Sequence, residues 1–395
     1  MFHQSFYILA TLLPSISIAV PPPPCSVGPH AGKTISESIP FINNPTPPFP
    51  FDKDPKVHGW FTKTNPTTGV EGAITRSYQF SVDTGSTGVM ISDTQLDDWL
   101  PSEAATATPG YEYLSSSKLL YSGYWVNRNM YFNKLAPATN VIKTQIKVLV
   151  VTSKCQCTTY IIGSSGATCP GGCTPQAYDQ VRMMGIGFGR TIDGMEGGTP
   201  DKNPILNVVS IHGTAVNTAT YHPGYIIDGN GITVGLTSTN YDAAGFGSKE
   251  VPLPPPATEP SGVIPRGHYP WDMMLGCVQV NSIPSPCLGI SVLLDTGLEQ
   301  SYIRVPVGTT WFGSWPKHFD GNRTVLNTNA HVDVAFGRPR LAETIYSVGD
   351  FLNEVTPIWT NVYSDPRPSF VNTGSHAFRK YEVAYDPICG KQAFR

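Results

Sequence analysis

Short runs of apolar and β-branched residues recur along most of the 395-residue chain and are separated by turn residues. Runs of this kind, about four to eight residues long, predict β-strands, and patterns long enough for amphipathic helices are scarce. In the first half the predicted strands are Tyr78 to Val82, Val89 to Ser92, Trp125 to Phe132 and Gln145 to Thr152. In the second half they are Tyr225 to Asp228, Gly231 to Leu236, Met273 to Val280, Val292 to Leu294 and Tyr302 to Val305. We therefore predict an all-β protein with few short helices.

The composition agrees with many short strands, and the length favours two lobes. Charged residues make up only 14% of the chain, whereas 38 Gly and 37 Pro supply turns and 18 Tyr favour strands. A chain of this length exceeds a typical single core, and the strand pattern starts again near Gly224. We predict an N-terminal lobe over residues 60–222 and a C-terminal lobe over residues 223–395. The formal net charge of -3, without a basic stretch, predicts no nucleic-acid partner.

The N-terminus has the features of a secretory signal peptide. An apolar core from Phe6 to Leu13 precedes small residues at Ser17 and Ala19, which fit a signal peptide over residues 1–19. Residues 20–59 are rich in proline and predict an extended arm or a short pro-segment. No other run approaches the ~18 apolar residues of a membrane span, so we predict a secreted, extracellular protein without one. The sequon at Asn322 then predicts a glycosylated surface loop.

Secretion makes disulfide bonds the expected state of the eight cysteines. Cys277 and Cys287 are predicted to close a local loop. A bond between Cys25 and Cys389 would join the two ends, although spacing alone leaves the pairing open. Four further residues form a cluster that could bind zinc by number alone: Cys155, Cys157, Cys169 and Cys173. The cluster has no Cys-x-x-Cys pair, so we predict no metal site.

The tripeptide Asp-Thr-Gly occurs once in each half of the chain, each time directly after a predicted strand. Asp83-Thr84-Gly85 follows Phe80-Ser81-Val82, and Asp295-Thr296-Gly297 follows Val292-Leu293-Leu294. A single copy carries little information, because Asp, Thr and Gly are ordinary turn residues and the aspartate can simply cap its own loop. Two copies in the same context predict two carboxylates that face each other and share one proton.

A second element follows each tripeptide. Met183-Met184-Gly185-Ile186-Gly187-Phe188 comes after the first copy, and Phe370-Val371-Asn372-Thr373-Gly374 comes after the second. Glycine in such a run lets another backbone segment pass close by, because it carries no side chain. A nucleotide-binding loop at Gly185 to Gly189 is a poor alternative, since no dinucleotide-type βαβ unit surrounds it.

In order and spacing these motifs resemble the pepsin-like aspartic peptidases, a family of two-lobed all-β proteins with one Asp-Thr-Gly in each lobe. The likeness covers Trp60 to Arg395. It implies a bilobal double-barrel fold in which Asp83 and Asp295 are catalytic. The supporting residues that it implies are Thr84 and Thr296, which hydrogen-bond across the lobes, Gly85 and Gly297, which hold backbone amides near the carboxylates, Ser86, which binds an outer carboxylate oxygen, and Gly185 and Gly374, which lie in the crossing segments.

Three features depart from the pattern of that family. Leu298 stands in the second loop where Ser or Thr is usual, and the second crossing segment has the polar pair Asn372-Thr373 where an apolar pair is usual. The flap, a hairpin that carries a Tyr over the cleft, has its nearest counterpart at Tyr121 in a segment that looks shortened. Without a hydroxyl at Leu298, we expect the pKa of the second acid to be raised and any activity to be confined to acid conditions.

The resemblance implies a secreted acid endopeptidase that hydrolyses peptide bonds by general acid and base activation of water between Asp83 and Asp295. This chemistry needs no metal and no cofactor. The partner would be a polypeptide substrate in an extended conformation, and the enzyme would be a monomer. The alternative is a non-proteolytic protein of the pepsin fold that binds or inhibits, recognising a secreted protein or a glycan. A zinc-dependent hydrolase would depend on the cysteine cluster alone.

Overall fold

The computed structural model describes Cys25 and residues 28–42, 54–65, 68–135, 139–161, 168–189, 198–256 and 269–395. The predicted signal peptide, residues 1–19, lies outside the described residues, as does part of the predicted arm. Within the described ranges the protein consists of β-strands joined by turns and a few short helices, so the all-β prediction is confirmed.

Each strand predicted from the sequence overlaps a strand of the structure, with ends that differ by at most two residues where the prediction runs too long. The strands of the first half are β1 Glu37–Pro40, β2 Lys56–Thr62, β3 Tyr78–Asp83, β4 Thr87–Ser92, β5 Thr108–Leu114, β6 Leu119–Leu135, β7 Thr139–Gln156, β8 Thr174–Gln176, β9 Arg182–Ile186, β10 Val208–Ile211 and β11 Thr214–Ala215. Those of the second half are β12 Tyr225–Ile227, β13 Gly231–Val234, β14 Glu250–Pro252, β15 Met274–Val280, β16 Ile283–Leu293, β17 Ser301–Pro306, β18 Lys317–Asp320, β19 Arg323–Leu326, β20 His331–Phe336, β21 Ala342–Ser347, β22 Thr360–Asp365, β23 Phe370–Asn372, β24 Val383–Asp386 and β25 Lys391–Phe394.

The helices of the described residues have at most five residues each. They are Pro101–Ala105, Pro200–Lys202, Ser238–Asp242, Phe246–Lys249, Thr310–Ser314, Gly374–His376 and Ala377–Lys380. Within the part of the chain that the structure describes, no helix has the length and apolar character needed to cross a membrane.

The strands form three sheets. The first, of ten strands, has the order β11-β10-β7-β4-β9-β3-β2-β6-β5 with β8 beside β7, and the additional pairing of β6 with β7 closes it on itself. The second, of nine strands, has the order β18-β19-β22-β17-β23-β16-β15-β20-β21. The third, of six strands, has the order β1-β13-β12-β24-β25-β14 and so combines strands from both ends of the chain.

The two large sheets contain the same four-strand arrangement. In the ten-stranded sheet β3 pairs parallel with β9, β9 pairs antiparallel with β4, and β4 pairs parallel with β7. In the nine-stranded sheet β16 pairs parallel with β23, β23 pairs antiparallel with β17, and β17 pairs parallel with β22. The first Asp-Thr-Gly connects β3 to β4 and the second connects β16 to β17, so each occupies the same place in its copy of the arrangement.

All eight cysteines form disulfide bonds, as predicted, and none is free. The bonds at the two ends of the chain and in the local loop before Asp295 are those expected from the sequence. The four-cysteine cluster forms two bonds, so the zinc interpretation of that cluster is wrong because no thiolate remains to bind a metal. The four bonds are Cys25–Cys389, Cys155–Cys173, Cys157–Cys169 and Cys277–Cys287.

Part of the segment predicted as an N-terminal arm is fixed to the opposite end of the chain. Strand β1 pairs with β13. Nδ1 of His30 lies 2.9 Å from Oδ1 of Asp242, and Nε2 lies 3.3 Å from Oδ2 of Asp386. The other oxygen of Asp386 lies 2.9 Å from Nε2 of His222. Because both ring nitrogens of buried His30 face carboxylates, the ring is held as a cation that donates from both.

The charge on His30 predicts a pH-dependent contribution to stability. Burial lowers the pKa of His30, but the hydrogen bonds and charges of Asp386 and Asp242 outweigh it and hold this pKa above its ordinary value. A raised pKa stabilises the fold below the unfolded value of about 6.5, and the contribution is lost as the pH rises through the folded value. We therefore expect His30→Gln to lower the free energy of unfolding by about 1 to 3 kcal/mol at about pH 5 and by less at about pH 8.

Urea unfolding at the two pH values measures this effect. The matched control is His212→Gln, because exposed His212 lies 2.8 Å from Glu37 and so loses a surface pair instead of a buried one. Equal losses at both pH values for His30→Gln would contradict a cationic ring.

Candidate active site

Both Asp-Thr-Gly turns line one cavity of about 1140 Å³, whose walls come from both large sheets. Strand alternation places the aspartates there. Alternate residues of β3 are buried in the core, and the residues between them, Ser81 and Asp83, line the cavity. The end of β16 repeats the pattern, with Ser291 and Asp295 on the cavity side. The period of two that predicted the strands therefore also sets the direction of both carboxyl groups.

The two turns are joined by a reciprocal set of hydrogen bonds. The Thr84 hydroxyl donates to the carbonyl of Leu294 at 2.8 Å, and the Thr296 hydroxyl donates to the carbonyl of Val82 at 2.7 Å. Each hydroxyl also accepts from the backbone N–H of the other threonine, at 3.1 and 3.0 Å. The predicted contacts between Thr84 and Thr296 are thus present. Both threonines are buried, so these hydrogen bonds are shielded from water and fix the separation of the turns.

The carboxyl groups of Asp83 and Asp295 lie beside each other, because both are close to Gly297. A Cβ atom built at Gly297 would lie 2.9 Å from Oδ1 of Asp83 and 3.2 Å from Oδ1 of Asp295, so both oxygens lie close to the same point. A Cβ atom at Gly85 would lie 2.4 Å from Cγ of Asp295. Glycine is required at position 85 because any side chain there would collide with the opposite carboxyl group.

Each carboxyl group receives hydrogen bonds at both oxygens. The backbone N–H of Gly85 donates to Oδ1 of Asp83 at 2.7 Å, and the Ser86 hydroxyl donates to Oδ2 at 2.7 Å. At the other turn the backbone N–H of Gly297 donates to Oδ1 of Asp295 at 2.9 Å. The predicted contacts of Gly85, Ser86 and Gly297 are therefore present, and hydrogen bonds of this kind favour the ionised form of a carboxyl group.

Asn372 supplies the remaining donor and was not predicted as a site residue. Its side-chain amide donates to Oδ2 of Asp295 at 2.6 Å, the position that corresponds to Ser86 at Asp83. Leu298 has no hydroxyl, so the hydrogen bond missing from the second turn comes from the second crossing segment. The signal is in the sequence, because Leu298 and Asn372 both depart from the family pattern. The structure relates the two departures, since the amide of Asn372 occupies the donor position that Leu298 leaves empty at Oδ2 of Asp295.

Burial raises the pKa of Asp295 well above its ordinary value, and the charge of Asp83 and the hydrogen bond with it raise the pKa further. The hydrogen bonds from Asn372 and Gly297 act in the opposite direction. The expected direction of the shift is confirmed, but its first cause is burial and not the absent hydroxyl of Leu298. Asp295 therefore holds a proton at pH values where an exposed aspartate is ionised.

The two crossing glycines lie beside the turns, as the pattern predicted. Gly185 pairs with Asp83 and with Gly88, between β3 and β4. Gly374 accepts a hydrogen bond from the backbone N–H of Asp295 at 3.3 Å and has φ of +67°, in the left-handed region. A Cβ atom there would lie 2.7 Å from the carbonyl oxygen of Gln300, so both conformation and space favour glycine.

Tyr121 lies in β6 and lines the cavity, in a hairpin formed with β5. Its side chain is buried, packed with Met90 and Trp125, and burial raises the pKa of Tyr121 to about 12. The phenol is therefore protonated. It forms part of the cavity wall, close to the turn of the hairpin. The tip itself, residues 115–118, also lines the cavity, so the hairpin has the position of a flap and places Ser and Lys at its end.

Asn322, the predicted glycosylation site, is exposed in the turn between β18 and β19 and lies at the lining of the same cavity. Its surface position suits a glycan, and the modification stays a prediction.

Among the described residues, the only group of three potential metal ligands is His30, His222 and Asp386, whose ligand atoms lie within 4.8 Å of one another. These atoms already hydrogen-bond to each other, which accounts for their geometry. The group is separate from the cavity, and the residues around Asp83 and Asp295 offer carboxylates, hydroxyls and one amide. Carboxyl and hydroxyl groups arranged in this way are suited to proton transfer.

No protein-family model matches the chain. No curated protein matches it at a significant level. The argument for function therefore comes from the geometry of the site.

Proposed function

We propose that this protein is a secreted aspartic endopeptidase with the bilobal double-barrel fold of the pepsin-like family. The observation that carries the proposal is the pair Asp83 and Asp295, whose Oδ1 atoms both lie close to Gly297 in one cavity. Two copies of one four-strand arrangement present this pair, and the bonds between Thr84 and Thr296 hold it. Four disulfide bonds fit the oxidising conditions of secretion.

The proposed mechanism uses one proton on the pair. Asp295, the more buried group, carries this proton, and Asp83 has the role of the base. Asp83 removes a proton from a water molecule as its oxygen attacks the peptide carbonyl carbon, and Asp295 donates its proton to the carbonyl oxygen. A tetrahedral intermediate forms. Its collapse breaks the C–N bond, the amine takes a proton from Asp83, and the hydroxyl proton returns to Asp295.

The substrate would be a polypeptide that binds in an extended conformation between the β5–β6 hairpin and the nine-stranded sheet. Extended chains bind by backbone hydrogen bonds to strand edges, with alternate side chains in pockets. The cavity has lining residues from both sheets and the hairpin tip, so a chain passing through it would meet both aspartates. We propose that the enzyme acts as a monomer, because one chain supplies both acids.

The pH dependence of cleavage tests this proposal. The pair is active with one proton, so activity falls as the pH rises through the pKa of the protonated partner. Because the pKa of Asp295 is raised, we expect activity at about pH 4 to 5 and an upper limb above the ordinary aspartate pKa of about 3.9.

The assay uses denatured protein as substrate, with a statine-type inhibitor that mimics the tetrahedral intermediate as control. Inhibition at a one-to-one ratio would support the dyad. A rate that increases continuously into alkaline solution would exclude it. Folded protein without cleavage at any pH, but with affinity for a secreted protein or a glycan, would favour the alternative of a binding protein.

A further inference from the structure

The cavity is more basic than the chain around it. Six basic side chains line it, three from each large sheet or the loops between its strands: Lys118, Lys154, Arg182, Arg304, Arg323 and Arg367. Outside the catalytic pair, the acidic residues of the lining are Asp54, Glu112 and Asp365. The whole chain has a formal net charge of -3, so this balance is local to the cavity.

Three of the cations and one acid line the same cavity and act on one another through their charges. Lys118 is at the tip of the β5–β6 hairpin, where its side chain is exposed at the cavity mouth. Partial desolvation there and then the charge of Arg367 lower the pKa of Lys118, while the charge of Asp365 opposes this. The guanidinium of Arg367 donates to both oxygens of Asp365, at 2.7 and 2.9 Å. These hydrogen bonds lower the pKa of Asp365 to about 2, so it stays ionised in acid solution. Together with Arg304, the two cations Lys118 and Arg367 outnumber Asp365, so these four side chains carry a net positive charge.

The position of Arg304 relates this group to the reaction centre. In β17, Tyr302 pairs with Asn372, the residue that donates to Asp295, and Arg304 follows Tyr302 by two residues. Two residues of a strand span about 7 Å, which equals the distance between alternate side chains of an extended peptide. A substrate chain with its cleaved bond at the aspartates would therefore bring a side chain about two positions away to Arg304.

We propose that Lys118, Arg304 and Arg367 form a subsite for an acidic side chain of the substrate, about two residues from the cleaved bond on one side. The proposal rests on the proposed peptidase function and names its substrate class. A carboxylate there would gain charge-assisted hydrogen bonds in a partly exposed site, which corresponds to a preference of about 3- to 10-fold over its neutral amide.

The test compares peptides that differ only by Glu or Gln, placed at each of the positions on both sides of one cleaved bond. At about pH 5, where the carboxyl group of glutamate is mostly ionised, we expect kcat/KM to favour Glu at one position by about 3- to 10-fold. Lys118→Gln should reduce the ratio at that position. Lys147→Gln, an exposed change on the same sheet outside the cavity, should leave the ratio unchanged. Salt of about 0.5 M should lower the ratio in the wild type.

Binding gives a second readout that does not require cleavage. The affinities of the Glu and Gln peptides for Asp295→Asn, measured by fluorescence anisotropy, should differ by a similar factor. Equal affinities and equal kcat/KM at every position would overturn the acidic subsite while leaving the peptidase in place. Absence of cleavage in the wild type with a retained difference in affinity would overturn the peptidase and keep the anionic subsite.

Discussion

Asp83→Asn and Asp295→Asn are each expected to lower kcat for peptide hydrolysis by about 10²- to 10⁴-fold. Asn cannot remove a proton from water or carry one to the carbonyl oxygen, so either change removes one proton-transfer partner. The side chains have the same shape, and Asn at position 295 removes a buried acid whose ionisation is disfavoured. We therefore expect the fold to be retained and thermal unfolding of Asp295→Asn to occur at the wild-type temperature or above.

The matched control is Asp350→Asn, because Asp350 is exposed and does not line the cavity. Activity is measured as kcat on a peptide substrate, and folding by circular dichroism during heating. Wild-type activity in either active-site variant, with the fold intact, would show that the pair is not the reaction centre.

Asn372→Ala is expected to lower kcat/KM by about 10- to 100-fold. Asp295 becomes ionised as it gives its proton to the substrate, and a hydrogen bond to a charged group contributes about 1.5 to 3 kcal/mol. The amide of Asn372 lowers the pKa of Asp295, so its loss should raise that pKa and move the upper limb of the pH profile to higher pH. A purely structural defect would reduce the rate without moving this limb.

Rescue provides a sharper test of the role of Asn372. Leu298 follows Asp295 by three positions, as Ser86 follows Asp83, and Ser86 donates to Asp83 at 2.7 Å. Leu298→Ser combined with Asn372→Ala should therefore recover most of the activity and return the upper limb towards the wild-type position. The control is Asn353→Ala, which removes an amide that donates to a backbone carbonyl at 2.9 Å outside the cavity. Failure of the rescue together with an unshifted pH profile would contradict the assigned role.

The strands and the proximity of Asp83 to Asp295 could be predicted because each depends on local pattern. The alternation of Tyr78, Phe80 and Val82 identifies β3 without reference to its neighbours, and the repeated tripeptide identifies the two turns. The threonine contacts came from the family resemblance, and the structure contains them. The same local logic predicts few short helices, and the helices of the described ranges have at most five residues each.

The donor to Asp295 could not be predicted from local pattern. Asn372 lies 77 residues from Asp295 in sequence, and the contact exists only because β23 is inserted between β16 and β17. For the same reason the sequence pattern does not distinguish the strand β1 from the predicted extended arm. Its four residues carry little pattern, and their partner β13 belongs to a distant part of the chain. Both the contact of Asn372 with Asp295 and the pairing of β1 with β13 depend on long-range strand pairing, which the periodicity of a sequence does not predict.

The six-stranded sheet has a consequence for biosynthesis. It takes β1 from near one end of the chain and β24 and β25 from near the other, with Cys25 joined to Cys389 beside them. Each large sheet can form from its own stretch of sequence as it leaves the ribosome, since domains generally fold as units during synthesis. The sheet that joins the two ends must wait for translation to reach its final strands, so a released chain that ends before Lys391 should expose the unpaired edge of β24 to chaperones.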